Sequence, residues 1–153
     1  MSWECWSVNG YGVDESTIYN VPLKKLFNFV KKHRNCAEIQ RYFQEEFNID
    51  SIDLDDFEEA IDDYATEEGH IGFGGIIAKV MSEETHIPFN YLWDDNGHCG
   101  IILQKMYPWN YNYDFLRNLT KEKLFKSFKE YFAELGVEIS EEDLNELSFE
   151  FGG

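Results

Sequence analysis

FNYLWDDNGHCGIILQKM, residues 89–106, carries the clearest fold signal in the chain. Residues 89–93 and 100–106 are short apolar or aromatic runs, and Asp94-Asp95-Asn96-Gly97 stands between them. Asn-Gly readily adopts the positive φ of a tight reversal, so the two runs are predicted to pair as an antiparallel hairpin.

Working outward, residues 2–13 mix Trp3, Cys5, Trp6, Val8 and Tyr11 with Gly10, which reads as a strand ending in a glycine-rich bend. Residues 147–151 read as a last strand, entered through a short helical turn at 140–146 that Ser140 and Asp143 box. Helical spacing accounts for most of the rest. Leu23, Leu26, Phe27 and Val30 follow Pro22, with Lys24, Lys25, Lys31 and Lys32 on the outer side. A second helix is expected from a cap at Asn35, placing Cys36, Ile39, Phe43 and Phe47 on one side and ending near Asn48. Leu54, Phe57, Ile61 and Tyr64 or Ala65 mark a third, and residues 76–84 a fourth. Thr120 caps a fifth that carries Leu124, Phe125, Phe128, Tyr131, Phe132 and Leu135 inward. The expected fold is α+β: an antiparallel sheet of N-terminal strand, central hairpin and C-terminal strand, covered by several helices on one face. With no repeat or linker, residues 1–153 read as one acidic domain.

A chain of 153 residues with 43% apolar content can bury a core without staples, so its charge does not signal disorder. That charge is −17, from 30 carboxylates against 13 Lys and Arg. The resulting negative field repels nucleic acid and anionic membranes and draws in proteins with basic grooves. Cys5, Cys36 and Cys99 show no close paired spacing and nothing at the N-terminus resembles a signal peptide, so the expected compartment is the cytoplasm. No apolar run approaches the roughly 20 residues of a membrane span.

The acid is concentrated. Between Arg41 and Lys79 there is no Lys or Arg, and the stretch holds Glu45, Glu46, Asp50, Asp53, Asp55, Asp56, Glu58, Glu59, Asp62, Asp63, Glu67 and Glu68. A second block spans residues 130–150. Along a helix rising about 1.5 Å per residue, the eight carboxylates of residues 50–63 recur every roughly 2.6 Å, the order of duplex DNA at about one charge per 1.7 Å. Like pairs at i,i+4 such as Asp55/Glu59, Glu58/Asp62 and Glu59/Asp63 each cost about 0.2–0.5 kcal/mol, more self-repulsion than solubility requires. The pattern fits an interaction surface made of Asp50, Asp53, Asp55, Asp56, Glu58, Glu59, Asp62, Asp63, Glu67 and Glu68, or a solvated face born of a general acidic bias. A calcium loop needs a central Gly that residues 50–59 lack.

Other constellations are weaker. The glycines at 69, 72, 74 and 75 could cradle a phosphate at a helix start, but no Lys-Ser/Thr follows, and close helix packing accounts for them better. Cys99 with His98 or His86 is the candidate nucleophile pair, and His33 with Cys36 the candidate metal pair. Strand neighbours point to opposite faces, which separates His98 from Cys99, so buried thiols and ordinary polar histidines are the expected roles. Tyr107, Trp109, Tyr111 and Tyr113 form an aromatic loop that either packs on the sheet or anchors a partner. No metal or cofactor is expected.

Asn9-Gly10-Tyr11-Gly12, Tyr107-Pro108-Trp109, and Leu119-Thr120-Lys121-Glu122 leading to the terminal Gly152-Gly153 resemble features of small acidic proteins of unknown function from bacteria and their prophages. That resemblance brings no catalytic residues and implies no enzyme. In size, acidity and α+β character the chain also looks like phage-encoded anti-defence proteins, including anti-CRISPR proteins and DNA mimics. What this likeness implies is stoichiometric inhibition of a nucleic-acid-binding defence enzyme, a basic nuclease in a bacterial host cytoplasm, with carboxylates standing where phosphates would sit. Two rivals remain: an immunity protein or antitoxin that neutralises a basic toxin nuclease, and a small enzyme using Cys99 or a histidine.

Overall fold

The computed structural model describes residues 5–44, 48–67, 72–104 and 119–152. The expected hairpin forms from β2 (Phe89–Trp93) and β3 (Cys99–Gln104), paired from Phe89↔Leu103 to Trp93↔Cys99. Its reversal is a five-residue loop in which Gly97 alone of the Asn-Gly pair takes a positive φ, 80°. Asp94 Oδ1 accepts the N–H groups of Asn96 and His98 at 3.0 and 2.9 Å and so holds the loop from inside.

β1 (Cys5–Asp14) lies beside β3, and β4 (Asn145–Gly152) beside β1, all antiparallel, in the order β2-β3-β1-β4. This is the α+β sheet expected from the sequence. Alternation along the strands divides it into two apolar faces. Val13, Phe89, Cys99 and Ile101 are buried toward the helices, with the ring of Phe89 5.1 Å from that of Phe128. On the opposite face Ile102 and Phe149 are buried as well. There the Phe149 ring comes so close over Gly100 that a Cβ on Gly100 would stand 2.8 Å from Cζ. A sheet burying both faces uses period-two alternation twice, which a single hydrophobic stripe does not announce.

The helices are α1 (Glu15–Ile18), α2 (Leu23–Lys32), α3 (Ala37–Ile39), α4 (Leu54–Glu67), α5 (Gly72–Thr85) and α6 (Lys121–Glu134). α1 was not anticipated: Asp14 caps it through Ser16 N–H at 3.0 Å and turns the chain out of β1. Where one helix was expected from Asn35 to Asn48, Cys36 is the cap and α3 passes into a π-helical turn, Gln40–Gln44. Within that turn the adjacent Tyr42 and Phe43 are both buried. Phe47 and the aromatic run at 107–113 lie outside the described residues. α5 starts at Gly72, not at 76, because its glycines belong to the helix: a Cβ on Gly74 would stand 2.4 Å from the Tyr91 ring of β2. Thr120 caps α6 as expected, accepting Lys123 N–H at 3.2 Å, and the Ser140–Asp143 box encloses a 3-10 turn before β4. Among the described residues no helix is long and apolar enough to cross a membrane.

Candidate interaction surface

α4 follows from its sequence position by position. Phe57, Ala60, Ile61 and Tyr64 recur at three- and four-residue spacing and are all buried. Phe57 meets Phe27 of α2 at 4.6 Å between ring centroids, and Tyr64 meets Tyr42 at 4.9 Å. Burying each such side chain contributes about 1.5–3 kcal/mol, enough to outweigh the self-repulsion of the outer face. On that outer face Asp55, Asp56, Glu58, Glu59, Asp62 and Asp63 are exposed. Asp55, Glu58, Glu59, Asp62 and Asp63 fall at i, i+3, i+4, i+7 and i+8, a continuous carboxylate stripe about 12 Å long.

Asp50 and Asp53, grouped with these in the sequence, do other work. Asp53 Oδ1 accepts Asp56 N–H at 2.8 Å and caps α4. Asp50 pairs with Arg34 at 2.6 Å. Glu67 closes α4 with its side chain undescribed, and Glu68 lies outside the described residues.

The positive charge is gathered elsewhere. Lys24, Lys25, Lys31, Lys32 and Arg34 on and just after α2, with Lys121, Lys123, Lys126 and Lys129 on α6, make nine of the 13 Lys and Arg. These two helices adjoin, since Glu134 of α6 pairs with both Lys32 and His33.

Three polar groupings tie distant parts of the chain together, and that of Glu38 reaches α4 itself. Glu38 Oε1 receives Arg41 Nη2 at 2.7 Å, Lys79 Nζ at 3.0 Å and Tyr64 O–H at 2.8 Å, tying α3 to α4 and α5. Burial by itself pushes that carboxyl up, but these donors outweigh it and bring it down to about 2. His33, 8% exposed, places Nδ1 2.6 Å from Glu84 and Nε2 2.7 Å from Glu134. The Tyr131 hydroxyl donates to Glu84 at 2.7 Å, and burial followed by this contact raises its phenol above the usual range. Beside them Lys32, His33, Asn35, Cys36, Glu83 and Glu84 line a cleft of about 250 Å³. The third grouping is Asp94, whose reach extends beyond its own turn.

The candidate nucleophiles have specific surroundings. Cys36 is buried, and burial with the nearby Glu83 pushes its thiol up to about 11, so it carries little thiolate at neutral pH. Cys99 is fully buried with Sγ 3.5 Å from the Tyr19 hydroxyl. His98 Nδ1 lies instead 3.1 Å from Glu15, and His86 ends α5 with a left-handed φ of 61°. Among the described residues no group of three or more His, Cys, Asp or Glu is placed to hold a metal ion.

No family model matches the chain, and neither a curated protein nor a solved structure is significantly similar to it.

Proposed function

We propose that this chain is a stoichiometric protein inhibitor that lays the outer face of α4 into the phosphate-binding groove of a nucleic-acid-binding defence enzyme. The observation that carries this reading is the stripe of Asp55, Glu58, Glu59, Asp62 and Asp63, exposed on a helix whose opposite side is locked into an aromatic cluster. Fixed, closely spaced carboxylates offer a basic groove what a phosphate backbone offers it, and the overall charge of −17 speeds the encounter at low salt.

The test compares wild type with a variant carrying Asp55, Glu58, Glu59 and Asp62 all changed to Lys, as bait in lysate from a bacterium with defence systems. Wild type is expected to retain a nuclease at low salt, release it as salt rises, and inhibit it at one-to-one stoichiometry. The variant should do neither. Equal capture by both proteins, or capture without inhibition, would refute the reading.

A further inference from the structure

The chain holds two Asn-Gly pairs, Asn9-Gly10 and Asn96-Gly97. Such a linkage is open to attack on itself, because glycine has no side chain to keep its nitrogen from the preceding carboxamide. The fold treats the two pairs differently. Asn9 and Gly10 lie inside β1, where Gly10 is paired with Gln104 on one side and Leu147 on the other. A Cβ on Gly10 would stand 2.5 Å from Ile102 Cδ1 and 2.7 Å from the Leu103 carbonyl oxygen. Extended backbone carries the Asn9 side chain away from the next nitrogen, and here it cannot turn unless the ladder opens.

Asn96 and Gly97 are exposed at the tip of the hairpin, and a Cβ on Gly97 would meet nothing within 4 Å. The tip is anchored on either side of their linkage. Asp94 N–H donates to the His98 carbonyl at 2.8 Å, and Asp94 Oδ1 accepts the N–H groups of Asn96 and His98. Among the described residues the linkage itself is held only by Gly97 N–H on the Asp94 carbonyl, at 3.2 Å, and the Asn96 carboxamide has no hydrogen-bond partner. Asp94 also reaches across the sheet. Its Oδ2 accepts Glu150 N–H at 3.1 Å, the Glu150 carbonyl accepts Asp95 N–H at 3.2 Å, and Gly152 N–H donates to Asp95 Oδ2 at 2.6 Å. The hairpin tip thus holds β4, although β1 stands between β3 and β4 in the sheet.

We propose that Asn96 is a self-modification site whose product releases the hairpin tip from β4. The Gly97 nitrogen gives up its proton and attacks Asn96 Cγ, the Cγ–Nδ2 bond breaks, and the amide group leaves with that proton as ammonia. The resulting succinimide ring is opened by water, the only other reactant. Water entering at Cγ restores the backbone with an aspartate. Water entering at the main-chain carbonyl leaves an isoaspartyl linkage, which runs through Cβ and Cγ and is longer by one methylene. The longer linkage cannot keep the N–H groups of residues 96 and 98 on one carboxylate oxygen, and Asp94, drawn out of place, lets go of Glu150.

The experiment ages wild type at mildly alkaline pH, folded and in guanidinium chloride, and follows both pairs by peptide mass mapping and enzymatic methylation of isoaspartyl carboxylates. In the folded protein Asn96 is expected to convert at least about tenfold faster than Asn9, whose reaction waits on opening of the ladder, and in denaturant the two rates should come together. The isoaspartyl fraction should exchange its Glu150 and Gly152 amides at least about tenfold faster than unaged protein. Freshly prepared Asn96→Asp, which adds the charge without lengthening the chain, should keep their protection. Equal conversion of Asn9 and Asn96 in the folded protein, or none at Asn96, overturns the proposal. So does an isoaspartyl fraction with unchanged protection, or an equal loss of protection in Asn96→Asp.

Discussion

His33 Nε2 lies 2.7 Å from Oε2 of Glu134, 101 residues further along the chain, while its other ring nitrogen faces Glu84 of a third helix. One imidazole therefore joins the ends of α2, α5 and α6. Replacing it by an apolar side chain of similar size removes the ring that bridges the two glutamates, leaving Glu84 to the Tyr131 hydroxyl and Glu134 to Lys32. His33→Leu is expected to cost about 1–3 kcal/mol, read as a lower urea midpoint at unchanged slope. A loss under about 0.5 kcal/mol would mean that the two carboxylates are satisfied by solvent.

Glu38 sets an acid limit on the fold. Its carboxyl sits at about 2 in the folded chain against an ordinary 4.5, so the stability it contributes is complete above that ordinary value and is lost as the pH falls toward 2. Glu134 and Asp94 are lowered in the same sense: burial raises each, and hydrogen bonds outweigh it, to Glu134 from His33 and Lys32, to Asp94 from the backbone. Glu38→Gln should be less stable than wild type at neutral pH by about 1–3 kcal/mol, and the two melting curves should converge as the pH approaches 2. A constant gap across that range would remove the linkage.

The α4 stripe should be dispensable for folding. Glu58→Lys replaces a like pair with Asp62 by an attractive one and gains a second opposite charge at Asp55. Thermal unfolding should stay level or rise by the equivalent of about 0.2–0.5 kcal/mol per pair. A fall of more than about 1 kcal/mol would make Glu58 part of the folded network and not of a docking surface.

Gly100, like Gly10 and Gly12 on β1, is a position where the second apolar face admits no side chain. A Cβ there would stand 2.8 Å from both Phe149 Cζ and the Val13 carbonyl oxygen, and the latter is backbone. Gly100→Ala should destabilise the protein by about 1–3 kcal/mol, and Phe149→Leu in the same chain should return only part of it. Full recovery would put all the crowding on the ring.

Legibility from sequence tracked how local the cause was. The hairpin, α4 and α6 could be read because residues a few positions apart fix them: Gly97 in the turn, Thr120 at the cap, Phe57 and Tyr64 on one side of a helix. The carboxylate stripe was legible for the same reason, whereas Asp50 and Asp53 looked identical to it and differ only in what they touch. The π-helical turn escaped because Tyr42 and Phe43 are buried side by side, against α-helical spacing. His33 showed only Cys36 at i,i+3, since its partners stand in helices folded against it from far along the chain. Asp94 read as turn chemistry, and its bond to Glu150, 56 residues away, is set by the way β4 crosses the sheet.

Phe57 and Tyr64 root α4 in rings from two other segments, so the backbone under the carboxylates is in place before any partner arrives. Docking would then immobilise side chains alone, at about 0.5–1.5 kcal/mol for each one held. With no disorder-to-order step in the way, the rate of complex formation would be limited by diffusion and ionic strength, and the lifetime of the complex by the fit of the partner's groove.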